Sequence, residues 1–139
     1  MNIQVAVLCD AATDYHGKLS LLGTFDTIFT RQLPAVHPSC AIVLRIVFGQ
    51  IEVGAHKLKL NFVDQDGKLV MPSIDIPCDV QLPGEMTYLS RNFIINIQQL
   101  KFEQAGEYSV DIAVDGRAEA SIPLSVRLMP APTAEKKPG

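Results

Sequence analysis

The sequence has no tryptophan, few cysteines and little charge. Aromatic residues make up 6% of the 139 positions and charged residues 19%, against a usual charged share of about 25%. Its three cysteines, Cys9, Cys40 and Cys78, are widely spaced and odd in number, unlike a disulfide framework. We therefore expect three buried free thiols in a reducing, cytoplasmic protein.

Long apolar runs and clustered positive charge are also missing. No stretch approaches the roughly 18 uninterrupted apolar residues of a membrane-spanning helix. The first ten residues lack the basic start and apolar run of a signal peptide. The net charge is −3 with scattered basic residues, which argues against nucleic acid and membranes as partners. The 47% of apolar residues is enough for one domain with its own core.

Alternation of apolar and polar residues dominates the chain, and a period of two indicates half-buried β-strands. Segment 84–90 fits either a short helix or a turn. Pro77 and Pro123 lie inside strand patterns and predict edge strands, because proline cannot donate a ladder hydrogen bond. Strands are predicted for 3–9, 18–23 with a continuation through Phe25 to Phe29 after a bulge at Gly23, 41–48, 57–63, 74–82, 91–98, 108–115 and 118–128.

Glycine-containing turns separate these strands. Asp115-Gly116 predicts a tight hairpin, and Gly67 closes a turn after Asp64, because glycine adopts positive φ without penalty. About 7–9 short strands with such spacing predict an all-β fold, an antiparallel β-sandwich of immunoglobulin-like type. We expect a single domain over residues 1–129 and a disordered, proline-rich tail over 130–139.

The segment Gly106-Glu107-Tyr108 opens a predicted strand after a loop. In immunoglobulin-like sandwiches a tyrosine placed there forms a tyrosine corner, in which its hydroxyl binds upstream backbone. We therefore predict structural roles for Gly106 and Tyr108, and also for the turn glycines Gly67 and Gly116. The paired cysteines and core tryptophan of true immunoglobulin domains are absent from the sequence.

Short motifs in a fixed order carry a further resemblance over residues 5–127. The matching motifs are Leu8-Cys9-Asp10, Gly17-Lys18-Leu19 with Gly23, Phe25-Asp26, His56-Lys57-Leu58, Asp64-Gln65-Asp66-Gly67, Asn92-Phe93, Gly106-Glu107-Tyr108 and Val114-Asp115-Gly116. Together they make the chain similar to an uncharacterised family of small bacterial all-β proteins, a domain of unknown function. The resemblance implies a bacterial origin and a β fold, and it assigns no catalytic residue and no cofactor.

Two short motifs suggest metal sites but fall short of them. Asp64-x-Asp66-Gly67 resembles the start of a calcium loop but continues with apolar residues, so a hairpin turn is the better interpretation. His37 and Cys40 are three positions apart, and one such pair supplies half of the usual four zinc ligands. No metal site and no cofactor is predicted from either motif.

Strand direction predicts which loops share an end of the sandwich. Loops 11–17, 51–56, 83–90 and 115–116 fall at one end, and the opposite end collects His37, Asp64, Asp66, Lys101 and Glu103. The first end makes a weak candidate site for a metal or polar ligand, since loops commonly carry binding residues. Its candidate ligands are Asp10, His16, Glu52 and His56, with Glu85 and Asp115 nearby.

The sequence thus favours a non-catalytic protein-interaction module of the bacterial cytoplasm. Apolar residues fall at positions predicted to face outward, namely Ala6, Leu8, Val43, Val47 and Ile94. A second copy, a partner chain or loops of the same chain would have to cover them, and we favour a homo-oligomer. The alternative function is a domain that binds a small ligand or carbohydrate, with or without a metal. An enzyme is the least favoured class, because no nucleophile is paired with a base.

Overall fold

The computed structural model describes residues 1–130, which form nine strands and one short 3-10 helix. The helix spans Gln50–Glu52 and follows the fourth strand directly. In chain order the strands are β1 (Asn2–Tyr15), β2 (Lys18–Phe25), β3 (Thr27–Thr30), β4 (Ala35–Gly49), β5 (Gly54–Asp64), β6 (Ile74–Val80), β7 (Tyr88–Phe102), β8 (Gly106–Val114) and β9 (Arg117–Leu128). The all-β prediction is confirmed. Most of the predicted proline-rich tail, from residue 131 onward, lies outside the described residues.

The strands form two sheets that differ in shape. Sheet A has the order β2-β1-β4-β7, and sheet B, a curled half-barrel, has the order β3-β9-β8-β5-β6. The prediction of purely antiparallel pairing is wrong at one place, because β3 runs parallel to β9. The chain leaves sheet A at Asp26, whose carbonyl oxygen accepts a hydrogen bond from the Ser125 amide at 2.8 Å. Sheet B is therefore mixed.

The main core lies between the sheets and follows the alternation of the sequence. Every second residue of central strand β4 is fully buried from Ile42 to Phe48. On the facing side of the core, sheet B buries Leu60, Ile112 and Leu124. Burying an aliphatic or aromatic side chain of this size contributes roughly 1.5–3 kcal/mol. The three cysteines are free and buried, as predicted.

The predicted facing of β1 is wrong because the strand contains a bulge. Its register against β4 shifts between Ile3 and Val5, and an inserted residue reverses which side chains face the core. Ile3 and Leu8 consequently both pack on the main core. The prediction that Ala6 and Leu8 face outward is therefore wrong, because both pack on the main core, and Cys9 takes an outward position.

The hairpin formed by β1 and β2 covers part of the outer face of sheet A. A second, smaller core forms beneath it, built from Cys9, Ala41 and Val43 with the partly buried Val7, Ala12, Leu19, Leu21 and Ile94. The turn of the hairpin is held by Arg45, whose Nη1 donates to the Gly17 carbonyl oxygen at 3.0 Å. The Asn92 amide nitrogen donates to the Asp14 carboxylate at 3.1 Å. The sequence predicted that a second copy, a partner chain or loops of the same chain would cover the outward apolar residues. The chain's own β1–β2 hairpin covers Val43 and Ile94.

The two proline predictions have different outcomes. Strand β6, which contains Pro77, is an edge strand of sheet B. Strand β9, which contains Pro123, lies between β3 and β8, so the edge prediction is wrong for the strand as a whole. Pairing with β3 begins only at Ser125. The Ser125 amide points toward the β3 side, where it donates to the Asp26 carbonyl oxygen. Because backbone amides alternate in direction along a strand, the Pro123 nitrogen points to the same side, at a level that β3 does not reach.

Segment 84–90 contains a turn and no helix. The Met86 amide donates to the Pro83 carbonyl oxygen at 3.2 Å, and β7 starts two residues later at Tyr88. Within residues 1–130, no helix has the length and apolar character needed to cross a lipid bilayer.

Candidate functional site

The structure brings Glu52 and His56 together with Asp115 where the 3-10 helix, β5 and the β8–β9 turn meet. Nδ1 of His56 lies 2.6 Å from the Asp115 carboxylate, and Nε2 contacts the Glu52 carbonyl oxygen. The second Asp115 oxygen accepts from the Lys57 amide at 2.9 Å. The imidazole also stacks on Phe48, with ring centroids 5.8 Å apart. Both ring nitrogens therefore face acceptors.

This geometry favours the charged imidazolium. The hydrogen bond to Asp115 and then the Glu52 carbonyl raise the pKa of His56. The hydrogen bond to His56, together with the Lys57 amide, lowers the pKa of Asp115. Glu52 itself accepts from the Gly49 amide at 2.7 Å, which lowers its own pKa. The Met1 amino group lies 3.2 Å from the Glu52 carboxylate. The polar atoms of Glu52, His56 and Asp115 thus bind one another and nearby backbone groups. Neither ring nitrogen of His56 is left to bind a metal.

The stability of the protein is expected to depend on pH through His56. Because its folded pKa is raised above the ordinary value of about 6.5, its contribution is full below that pH and is lost as the pH rises through the folded pKa. The Asp115 contribution, with a lowered pKa, is lost only as the pH falls below about 4. Urea unfolding should therefore show a larger deficit for His56→Gln at pH 5.5 than at pH 8.5.

The matched control for this experiment is His16→Gln. Its ring lies against Tyr15 at the β1–β2 turn, with centroids 4.3 Å apart. The His16 variant keeps the contacts of His56 with Asp115 and Glu52, so it should not reproduce the pH-dependent deficit of His56→Gln. An equal deficit for His56→Gln at both pH values would contradict the ion-pair interpretation.

Asp10 and His16 do not join this group. Both belong to the β1–β2 hairpin, which folds over the outer face of sheet A. The Asp10 carboxylate lies against Gly23, where any Cβ would come within 2.4 Å of it. Within residues 1–130 no three histidine, cysteine or carboxylate side chains are grouped as metal ligands. The candidate ligand end therefore contains only part of the predicted set.

The β8–β9 turn positions Asp115 for this role. Asp115 and Gly116 have φ values of +52° and +82°, and Val114 pairs with Arg117 on either side. Two successive positive φ values define the type I′ turn that Asp-Gly predicts. The turn thereby fixes the Asp115 carboxylate beside the start of β5.

The opposite end of the sandwich forms a cleft of about 400 Å³. As predicted from strand direction, Asp64, Asp66, Lys101 and Glu103 lie together there. Lys101 and Glu103 form an exposed ion pair of 3.3 Å. His37, predicted for the same end, is not part of the lining: its ring lies 5.5 Å from that of Phe25, and its Nε2 is buried without a hydrogen-bond partner.

Turn chemistry and a tyrosine shape this cleft. Asp64 closes the turn by accepting from the Asp66 and Lys68 amides, each at 2.9 Å, and Gly67 has a φ of +80°. The Tyr108 hydroxyl donates to the Gln104 carbonyl oxygen at 2.5 Å, which is the upstream contact expected of a tyrosine corner. These residues hold the turn after β5 and the β7–β8 loop in place as the two walls.

The buried thiols lack the properties of reactive cysteines. Burial raises the pKa of Cys9 and Cys78, and that of Cys40 to about 11. The nucleophilic thiolate is therefore scarce at neutral pH. The spacing of His37 and Cys40 has a packing explanation, since Cys40 belongs to the main core.

Strand β7 is the feature that the sequence did not identify as functional. It forms the end of sheet A and, in the part of the chain described here, pairs only with β4. Its 15 residues contain no proline or glycine, and the stretch from Asn92 to Leu100 carries no charge. Natural edge strands are commonly shortened, charged or broken by proline, because an open edge can pair with another chain. This composition was the available signal, but sequence alone did not place β7 at an edge.

The chain is thus a small two-sheet β protein with a long open edge and a cleft of mixed polar and apolar lining at one end. A family model matches residues 4–127, and its description is a family of unknown function, DUF6941. The chain belongs to this family, and the resemblance to a domain of unknown function is confirmed. No curated protein and no solved structure matches the chain.

Proposed function

We propose that this protein is a non-catalytic interaction module that binds a β-strand along the open edge of β7. The observation that carries the proposal is the length and composition of this edge. Fifteen residues at about 3.4 Å each extend roughly 50 Å. In strand addition, an incoming strand gains main-chain hydrogen bonds from such an edge, and pockets between side chains supply specificity.

The surroundings of the edge support a protein partner. Tyr88 at the start of β7 is 59% exposed, and the neighbouring Met86 and Ile51 are exposed as well. Tyrosine and methionine are enriched in protein interfaces. Strand β6, an edge strand of the other sheet, contains Pro77 and is shorter than β7, with seven residues. Strand β6 thus carries the proline and the short length that protect an edge, and β7 carries neither.

The order of the strands also supports an immunoglobulin-like architecture, which we propose for the fold. Strands β1, β4 and β7 are neighbours in one sheet, and β9, β8 and β5 in the other. This matches the distribution of the A, B, E and G, F, C strands of immunoglobulin domains. The buried free thiols support the proposed cytoplasmic location.

Native mass spectrometry of the untagged protein from its own host tests the function. We expect a mass above the 15.2 kDa of one chain, from a second copy or a bound partner. The variant Asn96→Lys/Gln98→Lys places two charges on exposed positions of β7 and should weaken this association about tenfold or more, since lysines protect edges. The control Ser20→Lys/Thr24→Lys makes the same change on exposed positions of β2, the other edge of sheet A, and should leave it intact.

Two results would contradict the proposal. A single chain without bound protein is one, and an assembly that survives the β7 lysines is the other. A single chain carrying the mass of a small molecule would instead favour the alternative function, ligand binding in the cleft near Tyr108.

A further inference from the structure

We infer that the strand bound by β7 is the β7 of a second copy, paired antiparallel about a two-fold axis through Ile95. This inference rests on the proposed function of the β7 edge and names its partner. The resulting sheet would have eight strands in the order β2-β1-β4-β7 followed by the same four strands reversed. Such an isologous contact is closed, as in most soluble homodimers.

Symmetry restricts the possible registers. Residues opposite each other in an antiparallel pair point to the same face of the sheet, whereas neighbours along a strand point to opposite faces. A two-fold axis must therefore pass through one residue that faces its own copy. Ile95 is the midpoint of Tyr88–Phe102, so centring on it gives the greatest overlap.

Side-chain chemistry favours the same centre. With Ile95 on the axis, Asn92 faces Gln98, and Phe93 faces Ile97. The first pair is polar on the outer face. The second joins two side chains that are buried in the main core of each copy, so the two cores would meet across the axis. Apolar cross-strand pairs of this kind contribute roughly 0.2–1 kcal/mol each.

In the two neighbouring registers, Arg91 faces an unfavourable cross-strand partner. Centring on Ile94 sets Arg91 opposite the buried Ile97, and centring on Asn96 sets it opposite Lys101, a pair of like charges. Centring on Ile95 sets it opposite Gln99. Arg91 already donates to the Asp79 carbonyl oxygen at 3.2 Å and lies 6.0 Å from the Phe93 ring, so its position is fixed within each copy.

The strand itself marks where regular pairing ends. Gln99 has a φ of +55°, and the core-facing positions change from Phe93 and Ile97 before it to Leu100 and Phe102 after it. In the register centred on Ile95, Gln99 faces Arg91, so the regular part of the proposed pairing extends from Asn92 to Gln98.

Cysteine cross-linking of the full chain tests the register. Under mild oxidation Ile95→Cys should form a reducible covalent dimer of twice the chain mass, because residue 95 faces its own copy. Asn96→Cys is the matched control: residues 96 of the two copies would lie about 8 Å apart, beyond disulfide reach. The native thiols are buried, so the unmodified protein should remain uncross-linked.

A second measurement covers the case in which Ile95→Cys fails to fold. Ile94→Cys and Asn96→Cys oppose each other in this register, so each should remain single alone and the mixture should cross-link. Equal cross-linking by Asn96→Cys alone, or none by Ile95→Cys and by the mixture, would overturn the inference. If the β7 lysines still abolish an assembly in that case, the edge binds a different protein, and only the self-pairing is wrong.

Discussion

Phe102→Ala should lower the free energy of unfolding by about 3–5 kcal/mol, the cost of deleting a fully buried aromatic side chain. Phe102 has no exposed surface, and its ring packs edge-on against Phe62 and Tyr108, with centroids 6.1 Å and 4.9 Å apart. The corresponding fall in melting temperature is roughly 10–20 °C for a domain of this size. Urea unfolding followed by circular dichroism gives the free energy of unfolding from the midpoint and from its slope against urea concentration. Thermal unfolding gives the melting temperature.

Phe29→Ala is the matched control, since the same side chain on β3 is 58% exposed. It should cost less than about 1 kcal/mol, as surface substitutions usually do. Similar losses for the two variants would mean that Phe102 is not buried between the sheets. The Phe102 variant should also loosen the cleft, because Tyr108, which lines the cleft, loses its contact with the Phe102 ring.

Val43→Asp tests the second core beneath the β1–β2 hairpin. Val43 is fully buried there, and an unpaired carboxylate in that place should cost on the order of 3–5 kcal/mol or be avoided by detachment of the hairpin. Amide hydrogen exchange of β2 distinguishes these outcomes from a harmless change. We expect the β2 amides to lose protection at least as strongly as those of the main core.

Val47→Asp provides the comparison on the same strand and the same outer face. Val47 is only partly buried and lies outside the hairpin cluster. It should cost less than half as much and leave protection of β2 unchanged. If both variants behave alike, the hairpin does not cover the outer face in solution.

Local patterns predicted most of the fold, because strand periodicity and turn residues act over short distances. The hairpin at Asp115-Gly116, the turn at Gly67 and the strand over 91–98 all depend on neighbouring residues alone. The bulge after Ile3 could not be predicted, since its effect is a shift of register against β4. The edge assignment for Pro123 went wrong for a related reason: the partner on that side, β3, comes from far away in sequence.

The candidate site was predicted only in part. Counting strand directions correctly placed Glu52, His56 and Asp115 at one end, because reversal at each turn is a topological property. It failed for Asp10 and His16, because β1 runs antiparallel to β4. Cys9 pairs with Ala41, at the end of the sheet away from Glu52. The segment predicted as one strand with a bulge over 18–29 is two strands in different sheets, so the count was short by one strand. Nor does the sequence state that β7, among residues 1–130, has a neighbouring strand on one side only, which depends on the complete order of strands.

The parallel pair of β3 and β9 has a consequence for how the chain acquires its structure during synthesis. Thr27–Thr30 pairs with Ser125–Leu128, so β3 finds its neighbour only after Ser125–Leu128 have been synthesised. Contacts between residues this distant carry a loop-closure cost and slow folding. We expect β1, β2 and β4 to associate first, with closure of the half-barrel as the last step. Until then β3 is a further unpaired strand in the nascent protein.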